Sequence, residues 1–244
     1  MAKHLLIGGS TAARTIACPG WIDLSKNMPK QKGNVYADEG NLLHDAMEDY
    51  YKNFVEFDDM IDKLTFNEQV LSKAHVVGQL EPARMFVEEV LDKYQIEQYL
   101  CEPFVEIVPG EQGGSIDMLG LSHDYKTVLV LDYKFGSQRV KVEDNKQLQF
   151  YALSAKTDKK TSSLFDEAEN VVYCIIQPKC ASKPLLWESS VTALDAFKRE
   201  LDEALANRDR VQEGEHCKYC PAMPICPAKR KEIPESLQKF VDKK

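Results

Sequence analysis

Long apolar runs are absent from this 244-residue chain, which excludes a helix able to span a membrane and a membrane partner with it. The N-terminal stretch Leu5–Gly9 is too short to serve as a signal-peptide core, so a cytoplasmic setting, in a bacterium or a phage-infected cell, is expected. No internal repeat and no low-complexity tract is present, which excludes solenoid architectures. No helicase motif occurs either. Hydrophobic residues make up 43% and charged residues 29%, a balance that excludes wholesale disorder.

Basic residues are also in short supply: 31 Lys and Arg face 39 Asp and Glu, a net charge of −8. Taken whole, that opposes nucleic-acid binding. The distribution weakens the objection, because residues 38–62 hold nine acids against the single base Lys52, the whole excess. Residues 126–160 hold eight bases against four acids, leaving room for a basic face. The alternative for those lysines is an ordinary solvated surface.

The coarse order of elements is mixed. Ser10 can cap a short helix to Ala17, ended by Cys18-Pro19-Gly20. Helices are expected over Gly40–Tyr51 and throughout residues 65–99. Strand patterns follow at 103–108, Ser115–Leu121, Thr127–Asp132 and Val171–Ile176, with an edge strand at Leu185–Ser189. The run Thr127–Asp132 is apolar on both faces and so belongs in a sheet centre. Helices are expected over Glu143–Ala155 and from Val191 to about Val211. The fold class is α/β: a mixed sheet core flanked by helices, behind a helical N-terminal section and ahead of a Cys-rich C-terminal region.

Within that frame Asp117 falls inside the second strand and Asp132 ends the third. Alternation puts Asp132 and Lys134 on one face. A short turn, Ser122–Lys126, makes the two strands antiparallel neighbours and brings Asp117 towards Asp132. Two carboxylates and a lysine on one face suit phosphodiester hydrolysis: hard oxygens bind Mg²⁺ or Mn²⁺, and the lysine orients water and offsets developing charge. An isolated D-x-K triplet is more often a salt bridge. Gln147 and Tyr151, four residues apart, share one helix face.

The seven cysteines do not read as a disulfide framework in a reducing compartment. Three of them, Cys217, Cys220 and Cys226, are spaced C-x₂-C-x₅-C, which suits a tetrahedral Zn²⁺ or an iron–sulfur cluster. A fourth ligand is needed, and the candidates are Cys18, His216, Cys101, Cys174 and Cys180.

The sequence Gly114-Ser115-Ile116-Asp117, then Asp132-Tyr133-Lys134, then Gln147 to Tyr151, preceded by Gly40 to Glu48 around His44, resembles the PD-(D/E)xK nuclease superfamily, in its RecB-like exonuclease branch. The Pro often found before the first acid is replaced by Ile116. The cysteine arrangement is similar to AddB-type and CRISPR-associated RecB-like nucleases, whose one upstream and three C-terminal cysteines hold a [4Fe–4S] cluster. The resemblance implies a restriction-endonuclease-like core and a metal-dependent DNA exonuclease acting at single-stranded ends, in recombination, replication or spacer processing. It implies Asp117, Asp132, His44 and the Tyr133 carbonyl as Mg²⁺ or Mn²⁺ ligands. Lys134 then positions the attacking water, and Gln147 and Tyr151 support Lys134 or the DNA backbone. Glu48 is expected to orient His44; Glu102 and Glu106 are the candidates for a further acid that this branch often carries in the preceding strand, with a surface role the expectation for each. Cys18, Cys217, Cys220 and Cys226 are the implied cluster ligands, with zinc the alternative.

The expected organisation is one nuclease domain over 1–244. It comprises a helical section at 10–100, a core at 101–190, a helix and cysteine region at 191–228 and a polar tail at 229–244. DNA is the expected partner, with a helicase, recombinase or single-strand-binding protein as a further one. A non-catalytic DNA-binding module with a structural zinc site, and an endonuclease, are the competing readings.

Overall fold

Two nearly unbroken apolar runs form the middle of the protein. A computed structural model describes residues 5–29 and 33–230. In chain order the elements begin with α1 (Ala12–Ala17), α2 (Trp21–Ser25), α3 (Val35–Asn53) and α4 (Phe57–Met60). A small hairpin of β1 (Thr65–Phe66) and β2 (Gln69–Val70) precedes α5 (Lys73–His75), a π-helical turn over Val76–Leu80 and α6 (Glu81–Lys93). Then come β3 (Ile96–Cys101), β4 (Phe104–Val108), β5 (Gln112–Ser115), β6 (Met118–Ser122) and β7 (Thr127–Tyr133). The described chain closes with α7 (Lys146–Thr157), β8 (Asn170–Ile176), β9 (Leu185–Ser190), α8 (Leu194–Ala206) and α9 (Pro227–Arg230).

The central sheet has the order β3-β6-β7-β8-β9, and only the β7–β8 pair is parallel. Strands β7 and β8 are apolar throughout because both sheet faces are covered. Val128, Val130, Val171, Tyr173 and Ile175 pack with α7 and α8, while Leu129, Leu131, Val172, Cys174 and Ile176 pack with α3 and α6. This is the mixed α/β core flanked by helices that the sequence pattern calls for.

Two expectations fail locally. The stretch 65–99 is not helical throughout: Asn67 and Gln95 take left-handed backbone conformations (φ 51° and 50°). Asn67 turns the β1–β2 hairpin, and Gln95 follows the end of α6. The residues after Gln95 become β3 because β6 offers them a partner, Tyr99 against Gly120 and Cys101 against Met118. The second strand is also broken, with Ile116 and Asp117 lying between β5 and β6. Strands β4 and β5 pair only with each other, as a separate two-stranded sheet. The polar tail expected at 229–244 lies, from residue 231 on, outside the described residues.

The N-terminal segment is pressed between this small sheet and α7. Gly113 N–H donates to the Ile7 carbonyl (3.0 Å). A β-carbon on Gly9 would stand 2.4 Å from the Tyr151 ring, so only glycine admits this approach. Gly9→Ala is expected to destabilise the protein by about 1–3 kcal/mol. Gly40→Ala, on α3 with open space around it, should instead stabilise by about 0.5–1 kcal/mol. Urea unfolding of both variants checks the pair; equal effects would contradict the packing described.

Candidate active site

Two crossings of the chain between sheets build the site. After β3 the chain passes to β4 through Glu102-Pro103, and after β5 it passes to β6 through Ile116-Asp117. The crossings are bonded together, Glu102 N–H to the Asp117 carbonyl and Ile116 N–H to the Pro103 carbonyl (each 3.1 Å). Glu102 is left-handed (φ 52°), a conformation that costs a non-glycine residue roughly 1–3 kcal/mol and tends to persist at functional sites. Met118 pairs with Leu131, so one step further Asp117 stands opposite Asp132. The Tyr133 N–H donates to Asp117 Oδ2 (2.5 Å) and fixes that carboxylate.

The remaining groups come from helices on opposite faces of the sheet. From α3, His44 Nδ1 lies 3.3 Å from Asp117 Oδ1, its ring held edge-on by Tyr133 and Phe135. From α7, Gln147 Nε2 donates to Asp132 Oδ1 (2.7 Å) and lies 3.3 Å from the Tyr151 hydroxyl. Lys134 Nζ sits 2.5 Å from Asp132 Oδ2. These side chains line a cleft of about 390 Å³, together with Ser10, Asn41 and Ser115.

The charges in the cleft are crowded. Burial, then the neighbouring Asp117, pushes the Glu102 carboxyl up to about 8. Burial raises Asp132 as well, against the opposing pull of Lys134. Burial also works against the Asp117 charge, but His44, Lys134 and the Tyr133 N–H outweigh it and hold this carboxyl below its ordinary range. His44 is raised: burial disfavours its charge, and Asp117 more than compensates. Burial and mutual repulsion drive these carboxylates apart, and a bound cation would relieve that repulsion.

Donor atoms of His44, Glu102 and Asp117 lie within 4.8 Å of one another, the only such group of three among the described residues. Asp132 Oδ2 is buried and accepts no hydrogen bond, its contact being the Lys134 ammonium. Hard carboxylate oxygens and one imidazole fit a divalent cation.

The predicted residues Asp117, Asp132, Lys134, His44, Tyr133, Gln147 and Tyr151 are thus brought together. Gln147 addresses Asp132 and not Lys134. Of the two candidate upstream acids, for each of which a surface role is the expectation, Glu102 is a member of the cleft. Glu106 is elsewhere, accepting the Gly110 N–H (2.7 Å). Glu48 lines the cleft but bonds Lys52 (2.6 Å) and does not orient His44.

Cys18, Cys217, Cys220 and Cys226 line one small cavity with Trp21 and His216. No three of their sulfurs lie within 4.8 Å of one another. His216 Nε2 is engaged with the Gln212 carbonyl (2.9 Å). Arg14 reaches from α1 to the Tyr219 carbonyl (2.7 Å) and lies over the Trp21 ring. Cys101, Cys174 and Cys180 are apart from this group, Cys174 in the core and Cys180 against the Ser137 carbonyl.

Relieving the carboxylate crowding should raise stability without metal and weaken the response to metal. Glu102→Gln is expected to lift the metal-free unfolding midpoint by roughly 2–4 °C per kcal/mol gained and to shrink the further rise on adding Mn²⁺. Thermal scans with and without Mn²⁺ check this; a lower metal-free midpoint with an intact Mn²⁺ response would contradict it.

Among solved structures the chain is similar to SSO0001, with a TM-score of 0.35 and 15% identity over 90% of this chain and 96% of that one. It is also similar to LHK-Exo in complex with dAMP (TM-score 0.32, 12% identity, 81% and 90% covered). A protein from Eubacterium rectale, provisionally described as an exonuclease, gives a TM-score of 0.42 at 12% identity, with 95% of each chain covered. No curated protein matches the sequence. The sequence matches one family over residues 4–243, so the chain belongs to DUF2800, described as a protein of unknown function.

Proposed function

We propose that this protein is a divalent-metal-dependent deoxyribonuclease of the PD-(D/E)xK superfamily, RecB-like branch, that hydrolyses phosphodiester bonds at single-stranded DNA ends. The observation that carries the reading is Asp117 opposite Asp132 at one end of the sheet, with Lys134 against Asp132 Oδ2 at 2.5 Å. His44, Glu102, Asp117, Asp132 and the Tyr133 carbonyl would hold the ion. Bound Mg²⁺ or Mn²⁺ supplies Lewis-acid polarisation of the phosphate and a more acidic water. Gln147 fixes one oxygen of Asp132, leaving the other for the ion and Lys134. The Tyr133 N–H does the same for Asp117. Lys134 positions the attacking water and offsets the charge that grows on the phosphate oxygens. Tyr151 backs Gln147 and is itself wedged against Gly9.

We read the four-cysteine cavity as the site of a [4Fe–4S] cluster, with Cys18, Cys217, Cys220 and Cys226 as ligands. An all-thiol donor set beside the Arg14 guanidinium supports this. The cluster's role is structural, joining the N-terminal helices to the C-terminal region in one domain.

Two experiments test these assignments. Lys134→Ala is expected to lose at least ~100-fold in Mn²⁺-dependent cleavage of end-labelled single-stranded DNA while Mn²⁺ still raises its unfolding midpoint. Asp117→Ala and Asp132→Ala should lose both. Cleavage by Lys134→Ala at the wild-type rate would refute its role. Anaerobically purified protein should be brown, with broad visible absorbance that chelation bleaches; colourless protein with one zinc per chain would remove the cluster.

A further inference from the structure

At the carboxyl ends of the parallel strands β7 and β8 the chain leaves the sheet in two loops, 134–145 and 177–184. The loops are fastened to each other. Gln177 Nε2 donates to the Gly136 and Gln138 carbonyls (3.2 and 2.7 Å), and its Oε1 accepts the Val140 N–H (3.1 Å). The Arg139 guanidinium donates to the Cys180 carbonyl (3.1 Å). Between these loops and β9 lies a groove of about 1020 Å³.

The groove has an apolar floor and a basic rim. Val140 and Trp187 contribute to the floor, and Trp187 stacks one ring face on Tyr173 (centroids 4.8 Å apart, 22° between planes). Arg139, Lys141, Lys179 and Lys183 face the single acid Glu143, a local excess of positive charge in a chain of net charge −8. Lys179 is tied to Glu39 (3.1 Å). Lys141 is 74% exposed and only loosely paired with Glu143 at 3.3 Å, and Lys183 has no ion pair among the described residues. Lys146, nearby at the start of α7, is spent on Asp144 and Glu200.

Register connects the groove to the candidate active site. Asp132 pairs with Ile175, and Ile175 with Leu185. Cross-strand partners share a face, so Asp132 and the groove residue Leu185 lie on the same side of the sheet, two strand spacings or about 10 Å apart.

We propose that this groove is the track for a single strand of DNA, with phosphates along Arg139, Lys141 and Lys183 and bases over Val140 and Trp187. Unstacked bases need an apolar platform and phosphates need cations, and the groove offers both side by side. A duplex keeps its base faces hidden and would leave the floor unused. The direction of the track, towards Asp132, rests on the nuclease reading; the binding does not.

Fluorescence anisotropy with a fluorescein-labelled oligo-dT, in Ca²⁺ to prevent turnover, tests the track across a salt series. Lys141→Gln combined with Lys183→Gln should weaken binding by ~10-fold at low salt and lower the salt slope by about 1.4, near 0.7 for each phosphate left without its lysine. Binding should quench tryptophan fluorescence in the wild type and fail to do so in Trp187→Phe, because Trp21 is buried. No binding by the wild type, unchanged affinity and slope in the double variant, or equal affinity for a duplex of the same length would each overturn the proposal. Should the nuclease reading alone fail, wild-type protein in Mn²⁺ leaves DNA intact while the groove variants still lose affinity. Should the track alone fail, cleavage persists and the variants bind as the wild type does.

Discussion

The antiparallel pairing of β6 with β7 is the constraint from which the site follows. It sets Met118 against Leu131 and therefore Asp117 against Asp132. A slip of one residue would turn Leu119 and Leu121 out of their core and carry β6 to the opposite faces. The same apolar side chains that hold the register thus hold two carboxylates together. Such a pair is unfavourable without compensation. Compensation is local: a backbone N–H for Asp117, an amide and an ammonium for Asp132, and an imidazole for Asp117.

The two apolar cores give this arrangement its rigidity. Helix α3 belongs to one face of the sheet and α7 to the other, and each sends one polar group to the same sheet end, His44 and Gln147. Neither helix moves without disturbing a core of buried Leu, Val and Met side chains. Side chains that must hold charge in a fixed geometry are best mounted on packed elements. The loops after β7 and β8 sit on this platform at the carboxyl ends of parallel strands, where open α/β sheets place their ligands.

Much of this is legible in sequence, and the reasons are specific. Thr127–Asp132 and Val171–Ile176 carry an unbroken apolar pattern that only a doubly covered strand explains. Asp132 and Lys134 share a face because strand alternation is rigid, and Gln147 and Tyr151 because helix periodicity is. The failures lie where partners decide. Ile96–Cys101 has no strand pattern of its own and becomes a strand because β6 is there to receive it. Glu102 is not separable from Glu106 in sequence, because nothing local announces a left-handed residue at a sheet crossing. Glu48 looks like a partner for His44, one helical turn away, but Lys52 lies one turn further on and is the stronger attraction.

The contacts between the two ends of the described chain bear on the order of folding. Arg210 reaches the Ile16 carbonyl and the Gln212 N–H reaches Cys18 Sγ, each across 194 residues of sequence. Contacts of that separation carry a large loop-closure entropy and form only after the intervening chain has organised. During synthesis, with the amino end emerging first, α1 can meet α7 as soon as that helix is out, but its contacts with α8 and with Arg210 wait until residues beyond 205 are released. The segment that wedges Gly9 against Tyr151 leads into α1, so it is secured at both ends only when those last residues arrive. A nascent chain therefore carries the carboxylates long before it carries the assembled site.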